Sequence, residues 1–179
     1  MTIYTKKGDD GSTYLFNGKR VMKNHLIIKV LGSIDKLSSL IGYASSQIKN
    51  KSEKSILLNI QKDLYLIMSH ISGAKTDLKV VLEKIKRFEQ FIDKLSSWLP
   101  NLNRFIIPSG PKTTGLFHIL RTETRSCERI IVSCFIKLKK LKKEDEKIIL
   151  KYINRLSDLF FILARKYSKD KEVIVEFLG

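Results

Sequence analysis

Acidic residues are scarce in this chain. Eighteen Asp+Glu stand against 34 Lys+Arg among 179 residues, a formal net charge of +16. Such an excess attracts nucleic acid, anionic lipid or polyphosphate. Most of it is lysine spread along every helical segment. Its densest run, Lys137, Lys139, Lys140, Lys142 and Lys143, reads as a solvated helix end where cations suit the dipole. Aromatics do not cluster with these lysines, so nucleic acid is not the expected partner. Nothing approaches about 18 consecutive apolar residues, and no membrane span is expected. The first residues, MTIYTKKGDD, lack the apolar core of a secretory signal. Only two cysteines occur, Cys127 and Cys134, about 10 Å apart along one helix and too far for a mutual disulfide. They read as small buried hydrophobes in a reducing, cytoplasmic setting. The three histidines, His25, His70 and His118, have no zinc-ligand spacing, and no G-x-S-x-G elbow appears. Zinc chemistry and a hydrolase triad are therefore not expected.

What is present is helical periodicity. Apolar residues recur through residues 25–49 (Ile27, Leu31, Ile34, Leu37, Ile41, Ala44, Ile48) and 53–73 (Ile56, Ile60, Leu64, Ile67, Ile71). They recur again through residues 77–99 (Val81, Ile85, Phe88, Ile92, Leu95), where Pro100 stops the pattern. Pro108 to Pro111 punctuate the start of a fourth helix, which runs to about residue 140 with Leu116, Leu120, Cys127, Ile131 and Cys134 inward. A fifth covers 143–167, with Ile149, Ile153, Leu156, Phe160 and Leu163 inward. Five long helices joined by short turns predict an all-α, up-and-down bundle of one domain over residues 1–179. Residues 1–24 form a leading loop, 25–168 the bundle and 169–179 a tail. Strand character is expected at most at residues 173–177.

Two polar features could carry function. On the fourth helix Arg121, Arg125 and Glu128 fall within an arc of roughly 60°, with the apolar stripe roughly 120° away. That face is either solvated, with an i,i+3 Arg125–Glu128 pair, or a site for an anion. His118, one turn before Arg121, lines the same face or is a structural histidine. Asn154 and Asp158, four apart on the fifth helix, are a surface pair or orient a ligand or the arginines. The leading loop, with Gly8, Gly11, Gly18 and Lys6, Lys7 and Lys23, is a floppy turn or a phosphate cradle without Walker A spacing.

In order, the strings YTKKGDDGSTYLFNGKRVMK, GSIDKLSSLIGYA, FIIPSG, LFHILRTETRSCER and YINRLSDLFFILAR resemble the PduO-type ATP:cob(I)alamin adenosyltransferase family over nearly the whole chain. The resemblance implies a ferritin-like five-helix bundle assembled as a homotrimer, with ATP between subunits. It implies transfer of the 5′-deoxyadenosyl group of ATP to cob(I)alamin, with Mg²⁺ and release of triphosphate. A regulator or chaperone that binds nucleotide or cobalamin without chemistry is the alternative. Carried over by motif, Thr5, Lys6, Lys7, Gly8, Gly11, Thr13 and Lys23 wrap the nucleotide. Arg121, Arg125, Glu128, Arg129 and Asn154 complete the pocket from the neighbouring subunit. The resemblance further pairs Asp35 with Arg121 across the interface and puts Phe105 under the corrin, where it keeps a lower ligand off cobalt. Asp158 is expected near the cobalamin, and a cobalamin-dependent enzyme is the expected acceptor of the product. The chain departs from the family pattern at Lys7, Lys36 and Ser126.

Overall fold

A computed structural model describes Tyr4, residues 6–169 and residues 171–175 of the chain. Five helices carry the fold: α1 (Leu26–Gln47), α2 (Lys51–Ile71), α3 (Lys79–Ser96), α4 (Lys112–Leu138) and α5 (Lys143–Ser168). Their ends follow local chemistry. The His25 ring accepts the Ile27 N–H at 3.2 Å and Asn50 accepts the Glu53 N–H at 3.1 Å, capping α1 and α2. Lys139 leaves α4 in a left-handed conformation, φ 48°, and its N–H closes on Phe135 O.

The helices run up and down, and side-chain contacts set the register. Ser33 meets Cys127 at 3.3 Å and Lys36 meets Glu123 at 2.8 Å, so α1 and α4 are antiparallel, with Asp35 level with Arg125. Lys36, a departure from the family pattern, thus pins α1 to α4. α4 lies between α1 and α5, and α5 in turn carries α3. The apolar stripes meet in one core. Ile34, Leu37, Ile41, Ile60, Leu64, Ile67, Ile85, Leu120, Ile131, Ile149, Ile153 and Phe160 are fully or almost fully buried. Each contributes about 1.5–3 kcal/mol on transfer from water. Leu31, Ile56 and Ile92 lie at the rim, only partly buried.

Short strands accompany the helices where the sequence gives little sign of them. β1 (Ser12–Tyr14) and β2 (Arg20–Met22) form an antiparallel hairpin within the expected leading loop. Gly18, at φ 79°, makes its turn, and Leu15 and Val21 bury beneath it. The hairpin docks on the end of α2, where Asn17 N–H donates to Ser72 O at 3.4 Å. At the opposite end of the bundle, β3 (Ile106–Ile107) pairs with β4 (Val173–Ile174). β4 lies within the expected strand, and Phe177 falls outside the described residues.

Candidate active site

The helical face expected from sequence exists, and it deepens toward the start of α4. Arg125 and Arg129 are exposed, Glu128 and Arg121 are half-buried, and His118 and Thr114 are buried on the same side. The charged arc therefore faces solvent at its centre and dives under α5 at one end. Phe161 of α5 makes that roof. Its ring centroid lies 5.9 Å from the Arg121 guanidinium carbon and 6.3 Å from the His118 ring. Phe161 has no place among the residues expected from sequence. Its signal was its position three after Asp158 and seven after Asn154, which puts all three on one face of α5.

The Arg125–Glu128 pair that would mark a plain solvated surface does not form. Glu128 instead accepts from Asn154 Nδ2 at 3.2 Å, tying α4 to α5 across the mouth of the groove. Among the described residues Arg121, Arg125 and Arg129 have no carboxylate partner, whereas Arg155 and Arg165 are paired with Glu89 and Glu172. Burial, then the neighbouring Arg125 charge, pushes the Arg121 guanidinium below its ordinary range. A half-desolvated cation with no acid beside it is a place for an anion. Asp158 does not join this face; it accepts from Arg155 at 2.7 Å, in a network reaching Glu89 on α3. A cation three residues back captured it.

Part of the leading segment is an ordered cradle. The Lys23 ammonium donates to Gly8 O at 2.7 Å, and Lys23 N–H donates to Gly11 O at 2.8 Å. A Cβ at Gly8 would lie 3.1 Å from Ser12 O and 3.3 Å from Lys23 Nζ, so a side chain there would make its neighbours give by a few tenths of an ångström. Gly11 takes φ 80° and Lys6 takes φ 57°. The Ser12 hydroxyl and amide both bond Asp10, which with Arg20 nearby holds that carboxyl below the usual carboxylate range. Thr13 pairs with Val21, while Lys6 and Lys7 are exposed at the edge. Thr5 lies outside the described residues.

One chain does not bring these halves together. The α1–α4 register puts His25 level with about Phe135, and burial, followed by the nearby Lys140 charge, depresses the protonation of His25. The hairpin thus sits at the α4 C-terminal end, about 15–20 Å along the axis from Arg125. Asp35 is exposed on α1, with no bond among the described residues to Arg121 on the α5 side of α4. Phe105 is 73% exposed at the other end, and its carbonyl accepts from Val175 N–H at 2.8 Å.

Comparison with known proteins supplies the frame for these halves. The family model for cobalamin adenosyltransferase matches residues 3–167. The chain belongs to the cobalamin adenosyltransferase family. It is 36% identical over 173 residues to the corrinoid adenosyltransferase of Bacillus subtilis, covering 92% of this chain and 86% of that one. It is 31% identical over 175 residues to the corrinoid adenosyltransferase PduO of Citrobacter freundii, covering 95% of this chain and 51% of that longer protein. Among solved structures, a variant PduO-type ATP:corrinoid adenosyltransferase from Lactobacillus reuteri, complexed with cobalamin and ATP, superposes with a TM-score of 0.85 at 27% identity. That match covers 99% of this chain and 97% of the other. Family membership agrees with the five-helix bundle. Among the described residues, no helix is long and apolar enough to cross a membrane.

Proposed function

We propose that this cytoplasmic protein transfers the 5′-deoxyadenosyl group of ATP to cob(I)alamin, releasing triphosphate and forming adenosylcobalamin, at sites shared between copies of a homotrimer. The observation that carries the shared site is the separation just described: an ordered glycine cradle and an unpaired arginine face, about 15–20 Å apart in one chain. A second copy closes the gap. Its Thr5, Lys6, Lys7, Gly8, Gly11, Thr13 and Lys23 hold the nucleotide from one side, and Arg121, Arg125, Glu128, Arg129 and Asn154 hold it from the other. Asp35 of the neighbouring copy supplies the carboxylate that Arg121 lacks at home.

The chemistry needs alignment and charge stabilisation more than a protein nucleophile. Cobalt in cob(I)alamin attacks C5′ of the ribose; a Co–C bond forms with its electron pair while the C5′–O bond breaks and triphosphate leaves. Neither cysteine competes as nucleophile, because burial pushes the Cys127 thiol up to about 11 and raises that of Cys134 as well. Arg125, exposed and without a carboxylate partner among the described residues, takes charge that accumulates on the departing phosphates. Glu128, fixed by Asn154, fits beside a magnesium ion carried by the nucleotide. Among the described residues no trio of His, Cys, Asp or Glu forms a metal cage. Such a magnesium ion would supply neutralisation of leaving-group charge, with Glu128 beside it.

Phe105, largely exposed, offers an apolar ring below the corrin, with Asp158 as a polar contact at its edge. An apolar ring excludes water and gives cobalt no lower donor, so the accepting orbital of Co(II) falls and reduction becomes easier. Phe105→Ala is expected to slow reaction from cob(II)alamin about tenfold or more, some 1.4 kcal/mol of barrier. From prereduced cob(I)alamin the rate should stay within about threefold, and equal losses from both would remove the redox role.

The defining test combines purified protein, ATP, Mg²⁺ and chemically reduced cobalamin without oxygen. The expected result is a light-sensitive Co–C product with one triphosphate released per adenosyl group. Saturable ATP binding without either product would make the protein a binding regulator or chaperone instead. The product's consumer is an enzyme that depends on adenosylcobalamin.

A further inference from the structure

Three side chains in the first turns of α4 carry buried polar atoms that have no hydrogen-bond partner among the described residues: Thr114 Oγ1, His118 Nδ1 and Arg121 Nε. At offsets of four and three residues they share one side of the helix, and Arg125 and Glu128 continue the row. Buried polar groups are nearly always bonded, so three such atoms in line are groups that a further partner can still satisfy. Two of them are complementary. An Arg Nε–H can only donate, and a neutral imidazole carries one bare nitrogen that can only accept. Both groups already flank the ring of Phe161. Long helical side chains lean toward the N-terminus, which turns Arg121 back toward His118.

We propose that His118 is a positioning residue, accepting the Nε–H of Arg121 at Nδ1 so that the guanidinium's outer N–H groups are aimed at the nucleotide side. This rests on the reading that Arg121 serves the adenosyl transfer. The bond leaves the Nη groups free for a carboxylate such as Asp35 from another copy. It also fixes a cation that a single face of Phe161 would leave to pivot.

The role requires an unprotonated ring, since an imidazolium offers no acceptor. His118 is 4% exposed, and that burial, followed by the Arg121 charge, depresses its protonation. Glu172, before β4, pulls the other way, but Arg165 of α5 holds it through N–H bonds of 2.9 and 3.3 Å. Titration therefore falls below the ordinary histidine value of about 6.5. The sign follows: the acceptor is present above the folded pKa and lost as pH drops through it. Stability moves in the same direction, because below about 6.5 the unfolded chain takes up a proton that the fold refuses.

Two variants separate positioning from packing. His118→Asn places Oδ1 close to where Nδ1 lies and cannot titrate, whereas His118→Leu fills the space with no acceptor. With ATP, Mg²⁺ and prereduced cobalamin, wild-type kcat/KM for ATP should fall on the acid side. H118N should stay within about threefold of wild type at pH 8 and lose that acid limb. H118L should lie about tenfold below the wild-type plateau at pH 8, the size of one hydrogen bond to a charged group, and show no acid limb, while melting no lower than wild type. Should H118L fail to fold, the H118N profile decides alone. In parallel, ¹⁵N spectra of the ATP-bound protein should show an Arg121 Nε–H protected from exchange in wild type and H118N, and unprotected in H118L. An active H118L with the wild-type pH profile, an H118N that keeps the acid limb, or an Nε–H unprotected in wild type overturns the proposal. An inactive wild type that still protects this Nε–H with ATP bound overturns the adenosyl-transfer reading and leaves the bond standing.

Discussion

Arg125→Ala is expected to lower kcat by about 10²–10³, the cost of removing one preorganised donor from developing charge. The residue is exposed and touches no carboxylate among the described residues, so its loss should change stability by no more than about 0.5 kcal/mol. A drop in kcat and kcat/KM together would place the contact in the transition state, whereas a rise in KM alone would make it a ground-state phosphate clamp. Arg125→Lys should recover part of the rate, because a point charge replaces the planar fork. Steady-state rates with saturating cob(I)alamin and varied ATP, beside thermal melts of each variant, decide the matter. Turnover within about threefold of wild type in the Ala variant would take Arg125 out of the mechanism.

The second large effect is on stability. Asp63 is 2% exposed in the middle of α2, with one oxygen on the Lys84 ammonium of α3 and the other accepting from Tyr152 O–H of α5 at 2.9 Å. Tyr152 is fully buried, and burial followed by the Asp63 charge keeps its phenol protonated well beyond the usual tyrosine range. Removing one partner of such a group strands the others. Asp63→Ala is expected to cost about 3 kcal/mol, since it leaves a buried hydroxyl unsatisfied and opens a cavity where three helices meet. For a chain of this size the melting temperature should fall by about 6–12 °C. Tyr152→Phe removes only one donor and should cost about 1 kcal/mol. Calorimetry on the purified variants measures both. Asp63→Ala should retain its rate per folded molecule well below its melting point, since neither α2 nor α3 carries a residue of the groove; an Ala variant as stable as Tyr152→Phe would show that the acid is solvated.

The five helices were legible because a 3.6-residue apolar period survives local accidents, and the deepest positions, such as Ile34, Leu64, Ile85 and Ile153, were those the period selects. The first hairpin was not, because strands of three residues are too short to show alternation. Asn17-Gly18 was the available signal, a dipeptide that favours the positive φ found at Gly18. Within the site, spacing found the Arg121, Arg125 and Glu128 face but could not see which partners compete. Asp158 went to Arg155, Glu128 went to Asn154, and Phe161 took a place that its twin Phe160, wholly buried, suggested was core. Periodicity locates a face; burial and pairing depend on neighbours from other helices.

The junction of Gly73 with Asn17 links two distant properties. A methyl group on Gly73 would come within 2.6–2.9 Å of the Asn17 side chain, and the backbone there already takes φ 102°. Any larger residue must displace the Asn17 side chain, which stands at the turn of the hairpin where it meets the end of α2. If the glycine cradle holds ATP as proposed, a change at this helix terminus is expected to surface as a substrate-saturation defect in a protein whose core is intact.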